Sequence, residues 1–123
     1  MPKESFALNR IRSVGYALKG AILLLKTEAS IKVQFFICIL ITSLGFYFKI
    51  SSSEWIFQTF AIGMVMGIEG LNTAIEKIAD YVQPEFDVKI GFIKDVAAGA
   101  VMIVSITASI VGCIIYIPKI FNW

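Results

Sequence analysis

Three long apolar runs separated by short polar breaks dominate the chain: Val33 to Ile50, about Trp55 to Ile78, and about Val96 to Ile117. Each is close to the ~20 residues an α-helix needs to cross a hydrocarbon core of about 30 Å, so the pattern predicts three membrane spans. The first is the shortest, and Lys32 and Lys49 at its ends are placed to snorkel to the interfaces. No room remains for a fourth. The brief polar segment ISSSE at 50–54 predicts that the first two spans form an antiparallel hairpin. Pro84 stops the second helix shortly after Asp80, and Pro118 marks the end of the third. Ahead of the spans, Leu8, Ile11, Val14, Leu18, Ile22 and Leu25 recur at helical spacing, while Arg12, Lys19 and Lys26 repeat every seven residues on another face. This predicts an amphipathic helix over 5–28 lying on a membrane surface. The expected fold class is an all-α membrane protein, a single domain over 1–123.

Composition agrees. Of 123 residues, 58% are hydrophobic, more than a soluble domain of this length needs. The N-terminal segment does not read as a signal peptide, because Arg10, Arg12, Lys19, Lys26 and Glu28 leave no uninterrupted apolar core before a cleavage site. Lys3, Arg10, Arg12, Lys19, Lys26 and Lys32 precede the first span, and Lys77, Lys89 and Lys94 lie between the second and third. Only Lys49 and Lys119 fall on the other side. The positive-inside rule therefore puts the N-terminus and the segment 79–95 in the cytoplasm, with 49–54 and the C-terminus outside. A net charge of +2 gives no argument for nucleic acid. Cys38 and Cys113 sit inside spans and there is no histidine, so neither a disulfide framework nor a thiolate–imidazole metal site is indicated. The segment 82–95 reads as a charged loop bent at Gly91. Gly63 and Gly67, and the run Ala97–Ala100, allow close helix approach but are common patterns in membrane helices.

The candidate chemistry lies in EGLNTAIEKIAD, residues 69–80. Glu69, Asn72, Glu76 and Asp80, spaced by three, four and four, share one helix face. A carboxylate at the centre of a span costs roughly 2.5–3.5 kcal/mol on insertion scales, which makes a functional role the default reading. The plain alternative is a set of acids satisfied by neighbouring helices. Counted from Trp55, Glu69 lies about 21 Å along the helix, roughly 9 Å short of the far edge of the core. Glu76 falls at that edge and Asp80 beyond it. Glu69 is thus placed to meet a group at lipid-head level, and the other two a water-soluble ligand. Glu28, between Lys26 and Lys32, lies at the same interface. With Glu76 it offers oxygen ligands to Mg²⁺, which favours one or two carboxylates plus phosphates. Lys94 can neutralise phosphate charge beside Asp95, Glu85 and Asp87, although a merely solvated loop would look the same. A lone three-span chain would leave part of the acidic face toward lipid, so self-association is expected. A small proton-coupled transporter would also use an intramembrane acid. It gives no reason for Glu28 or the Lys94–Asp95 pair.

EGLNTAIE (69–76), Asp80, KDVAAGAV (94–101), YALKG (16–20) and Glu28 resemble the small prokaryotic diacylglycerol kinase family, which includes the undecaprenol kinases. The resemblance covers nearly the whole chain, and no soluble kinase signature is present. It implies a homotrimer with shared active sites that passes the γ-phosphate of ATP to the primary hydroxyl of diacylglycerol, or alternatively of undecaprenol. By this resemblance Glu69 is the general base, and Glu28 and Glu76 are metal and nucleotide ligands. Asn72 and Ala98 lie by the lipid, and Tyr16, Glu85, Lys94 and Asp95 contact the nucleotide. Three positions depart from the family pattern. Arg10 precedes Arg12 by two residues where the family spacing is three, which weakens its nucleotide role. Gln34 stands where some members carry an acid. Asp87 stands where some carry histidine, which argues against a phosphate contact at that nucleotide-site position.

Overall fold

The first helix starts where a cap is available. Ser5 Oγ accepts from the Leu8 N–H at 3.2 Å and satisfies one of the donors that every helix start leaves unpaired. The computed structural model describes residues 5–123; Lys3 of the positive-inside count lies outside them. Helix α1 runs Phe6–Thr27 and has no buried residue. Glu28 then takes an extended conformation (φ −100°, ψ 118°), and α2 begins at once, Ala29–Phe48. The Glu28 N–H still bonds Leu24 O and the Lys32 N–H bonds Glu28 O, at 3.1 and 3.0 Å, so the break is one residue wide. Neither glycine nor proline marks it.

At its far end α2 stops with Lys49 in the left-handed region (φ 52°, ψ 55°), the position that glycine usually fills. The Ile50 N–H reaches back to Gly45 O at 3.1 Å and the Lys49 N–H to Phe46 O at 3.3 Å, the paired bonds of a Schellman stop. Ser51 then opens α3, Ser52–Val82, with a capping box. Its Oγ accepts from the Glu54 N–H at 3.2 Å, while Glu54 Oε1 accepts from the Ser51 N–H at 2.9 Å. Asp87 caps α4, Val88–Ile120, accepting from the N–H groups of Lys89 (2.8 Å) and Ile90 (3.3 Å). The α3–α4 connection is therefore 83–87. The expected loop over 82–95 is corrected to these residues, and Gly91 is helical rather than a bend. A strong N-cap at Asp87 overrides the charge-rich composition that suggested a longer loop. Pro118 likewise does not end α4, which continues to Ile120, because a proline this near the terminus removes only one intrahelical bond.

Helix α3 packs chiefly on α4, less on α2, while α1 touches mainly the start of α2. The densest packing sits at the end holding the α2–α3 turn. Ile50, Ile115 and Tyr116 form a buried core there, flanked by Ile41, Leu44, Phe48, Trp55 and Val111. A methyl on Gly45 would come within 2.7 Å of the Trp55 ring, so only glycine lets the indole lie against α2. Polar bonds cross the same end. Tyr116 Oη lies 2.5 Å from Gln58 Oε1 and 3.1 Å from Ile41 O, linking α4 to both neighbours. Lys119 Nζ donates to Glu54 Oε2 at 2.6 Å. That ammonium, with the Ser51 N–H, holds the Glu54 carboxyl below its ordinary range despite its partial desolvation.

Elsewhere large apolar side chains point outward, with Phe36, Phe60, Ile103 and Ile114 each about two-thirds exposed. A face of this kind needs an apolar surrounding. Helices α2 and α4 are each long and apolar enough to cross a membrane. Helix α3 is 31 residues long but is not among them, since Glu69, Asn72, Glu76, Lys77 and Asp80 fill its second half.

Tyr116→Phe removes the donor that meets buried Gln58, only 4% exposed. The variant should lose about 1–3 kcal/mol of stability, the usual result of stranding a buried polar group. Unfolding in detergent micelles measures it, and an unchanged midpoint would show that the hydroxyl holds nothing.

Candidate active site

Helix α3 carries Glu69, Asn72, Glu76 and Asp80 on one continuous α-helical face, as their spacing required. The face does not meet one neighbour. Its Glu69 end turns to α2 and its Asp80 end to α4.

Glu69 is buried, 7% exposed. Gln34, in the second turn of α2, donates from Nε2 to Glu69 Oε2 at 3.4 Å. Next to Glu69, Gly70 admits Leu24 of α1, whose Cδ1 would lie 3.0 Å from any methyl placed there. The end of α1 thereby closes over this turn of α3. Thr73 Oγ1 bonds the Glu69 backbone carbonyl at 3.1 Å and leaves the carboxylate alone. One turn on, Asn72 Nδ2 donates to Glu76 Oε1 at 3.3 Å. Both amides use their donor ends on carboxylates. The carbonyl oxygens Gln34 Oε1 and Asn72 Oδ1 are consequently buried with no partner among the described residues. A carboxylate and two unpaired acceptors in one neighbourhood call for a donor, and a hydroxyl group is the simplest neutral one.

The polar end is held by ion pairs. Lys77 Nζ lies 3.8 Å from Glu28 Oε1, which brings the α1–α2 junction beside the turn that carries Glu76. Lys94 Nζ lies 2.5 Å from Asp80 Oδ1 and joins α4 to α3. Among the described residues, no three carboxylates, cysteines or histidines gather as a metal cluster. The donor set of Glu28 and Glu76 is nonetheless all oxygen. It suits a hard divalent cation that arrives with phosphate ligands and not one held by protein alone.

Other residues singled out by sequence stand apart from this group. Tyr16 is 72% exposed on α1, and Glu85, Asp95 and Ala98 are exposed near the α3–α4 connection. Arg10 lies far up α1 with its guanidinium over the Phe6 ring, 5.6 Å from the centroid. Asp87 spends one carboxylate oxygen on the α4 cap. Two residues near the ladder escaped the sequence reading. Lys77 entered it only as a positive charge. Gln34 was set aside as a departure from pattern, yet an amide near the start of an apolar run was the available signal.

A family model described as prokaryotic diacylglycerol kinase matches residues 15–116. The undecaprenol kinase of Bacillus subtilis (strain 168) is 31% identical over 114 residues, covering 92% of this chain and 93% of that protein. The diacylglycerol kinase of Escherichia coli (strain K12) is 28% identical over 105 residues, covering 85% of this chain and 86% of that protein.

The Lys94–Asp80 pair is partly solvated on both sides, 39% and 58% exposed, so it contributes little to stability. Lys94→Ala should shift the unfolding free energy by less than about 1 kcal/mol. Micelle unfolding measured beside catalytic turnover would check this. A large loss of stability would mean that Lys94 holds the fold.

Proposed function

The chain belongs to the prokaryotic diacylglycerol kinase family and is a lipid kinase, and we propose that it transfers the γ-phosphate of ATP to the primary hydroxyl of a neutral membrane lipid with Glu69 as the general base. The observation that supports this best is the buried Glu69 carboxylate, set among acceptors that lack a donor. In the proposed step the hydroxyl oxygen attacks the γ-phosphorus while its proton passes to Glu69. The bond to the β-phosphate oxygen breaks and ADP leaves. Asn72 and Ala98 border the lipid. Glu28 and Glu76 would hold Mg²⁺, which lowers the charge repulsion between phosphate oxygens and the incoming oxygen. Lys94 balances phosphate charge, and Tyr16, Glu85 and Asp95 border the nucleotide. Arg10 and Asp87 have the weakest claim to that role, one for its distance and the other for its cap. Phosphoryl transfer asks mainly for positioning and charge balance, so a small set of side chains suffices.

The two apolar helices and the family place the chain in a membrane. We propose further that α3 is a third span, that residues 1–123 are one kinase domain, and that three copies share their active sites in a bacterial cell membrane. The exposed positions of Tyr16 and Asp95 support the sharing, since they leave both side chains open to a neighbouring copy. The N-terminus and the 83–87 connection would face the cytoplasm, where ATP is. Diacylglycerol, giving phosphatidate, is the first acceptor proposed. Undecaprenol is the second, favoured by the likeness to the undecaprenol kinase of Bacillus subtilis. Both present a primary hydroxyl.

Glu69→Gln keeps size and a carbonyl but cannot take the proton. Lipid turnover should fall by about 10²-fold or more, the scale of general-base catalysis, while the nucleotide dissociation constant is unchanged. Side-by-side assays with diacylglycerol and undecaprenol would identify the acceptor. Near-normal turnover in the variant would make Glu69 structural.

Glu28→Gln and Glu76→Gln should each raise the Mg²⁺ concentration needed for half-maximal ATP binding, because each removes an anionic oxygen ligand. Titration of nucleotide binding at varied Mg²⁺ would show it. Unchanged curves in both variants would remove the metal role.

A further inference from the structure

The Glu69 carboxylate has one hydrogen-bond partner among the described residues, and it comes from another helix. Gln34 Nε2 donates to Oε2 at 3.4 Å across the α2–α3 groove. A catalytic base with two equivalent oxygens is free to swing unless one is held, and orientation of the base by a third group is the general device. The geometry points to Gln34 as a positioning residue that fixes Glu69 Oε2 and leaves Oε1 to receive the hydroxyl proton.

Three observations on the page support it. First, Gln34 turns its donor end to the carboxylate while its own carbonyl oxygen stays buried and unpaired, an arrangement with a local cost. Nothing else in α2 uses that amide. Second, the other groups near Glu69 cannot do this work. Thr73 bonds its backbone oxygen, Asn72 is committed to Glu76, and the close neighbour from α1 is the apolar Leu24 at Gly70. Third, a neutral amide donates without competing for the proton. A second carboxylate at position 34 would face Glu69 with like charge. The 3.4 Å separation is long, as catalytic hydrogen bonds often are before substrate binds, and it shortens when the lipid head enters.

This inference rests on Glu69 being the base, and a double-mutant cycle separates the two ideas. Wild type, Gln34→Met, Glu69→Gln and the double variant are compared for lipid turnover, lipid KM and ATP dissociation constant. The lipid is whichever of diacylglycerol and undecaprenol the wild type phosphorylates. Methionine keeps the length and volume of glutamine, so packing changes little. Gln34→Met should lower turnover by about tenfold, the scale of one hydrogen bond to a charged group, with ATP affinity unchanged. In the Glu69→Gln background the same change should cost less than twofold. An equal loss in both backgrounds, or no loss in the first, overturns the positioning role while leaving Glu69 as base. Full turnover in Glu69→Gln alone overturns the base and with it this role. Gln34→Leu serves if the methionine variant does not fold. It too lacks the donor and adds no charge, and must show the same dependence on Glu69.

Discussion

A carboxylate placed in an apolar helix needs a donor, and much of the inner half of this bundle is arranged around that need. Glu69 is on α3, and the hydrogen bond to its carboxylate comes from α2, so the two helices must keep their register for the bond to exist. Leu24 reaches the adjacent Gly70 and brings the end of α1 to the same turn. Taking Glu69 out of water is unfavourable unless a partner compensates. The partner here is a neutral amide at the long end of hydrogen-bond distance, which donates to Oε2 alone.

The opposite end of the bundle explains how such a site is tolerated. Around the α2–α3 turn the helices are joined by a Schellman stop, a capping box, the Glu54–Lys119 pair and the Tyr116 contacts to Gln58 and Ile41. The buried apolar cluster of Ile50, Ile115 and Tyr116 lies there too. The other end is joined by two ion pairs, one of them at 3.8 Å, by the Gln34–Glu69 bond and by the buried Ile31, Ala79 and Ala97. More polar bonds join the helices at the turn end than at the site end, so the turn end keeps their register while side chains adjust around a ligand. Lids and sites that move are drawn from the less stable parts of a fold for the same reason.

Much of this was readable from residues, and the failures have physical causes. Helical spacing of Leu8 to Leu25 and the apolar runs gave the helices, because period and length are coarse signals that survive most local detail. Spacing alone put Glu69, Asn72, Glu76 and Asp80 on one face. The α4 start was misplaced because Asp87 reads equally as loop charge and as N-cap, and only backbone geometry separates them. Gln34 was passed over because pairing between helices is not encoded in spacing along one. The Lys94–Asp80 contact had the same problem: both residues were visible, but not that they meet across fourteen positions. Arg10 and Tyr16 were assigned to the site by resemblance alone.

The scatter of those residues bears on how one short chain can serve two substrates of opposite character. In the proposed reaction a lipid hydroxyl meets Glu69, whereas a nucleotide stays in water by the ends of α3 and α4. A single helix that carries acids from a buried position to an exposed one spans that difference with one backbone, at about 1.5 Å per residue. Glu69 to Glu76 is seven residues, or roughly 10 Å along the axis. The helix thus fixes the distance between the proposed base and the proposed metal ligand. Helix α2 then needs to supply only a donor for the base, and α4 a cation near the phosphates. Catalysis by placement needs rigid spacing more than numerous groups, and a single unbroken α-helix provides it.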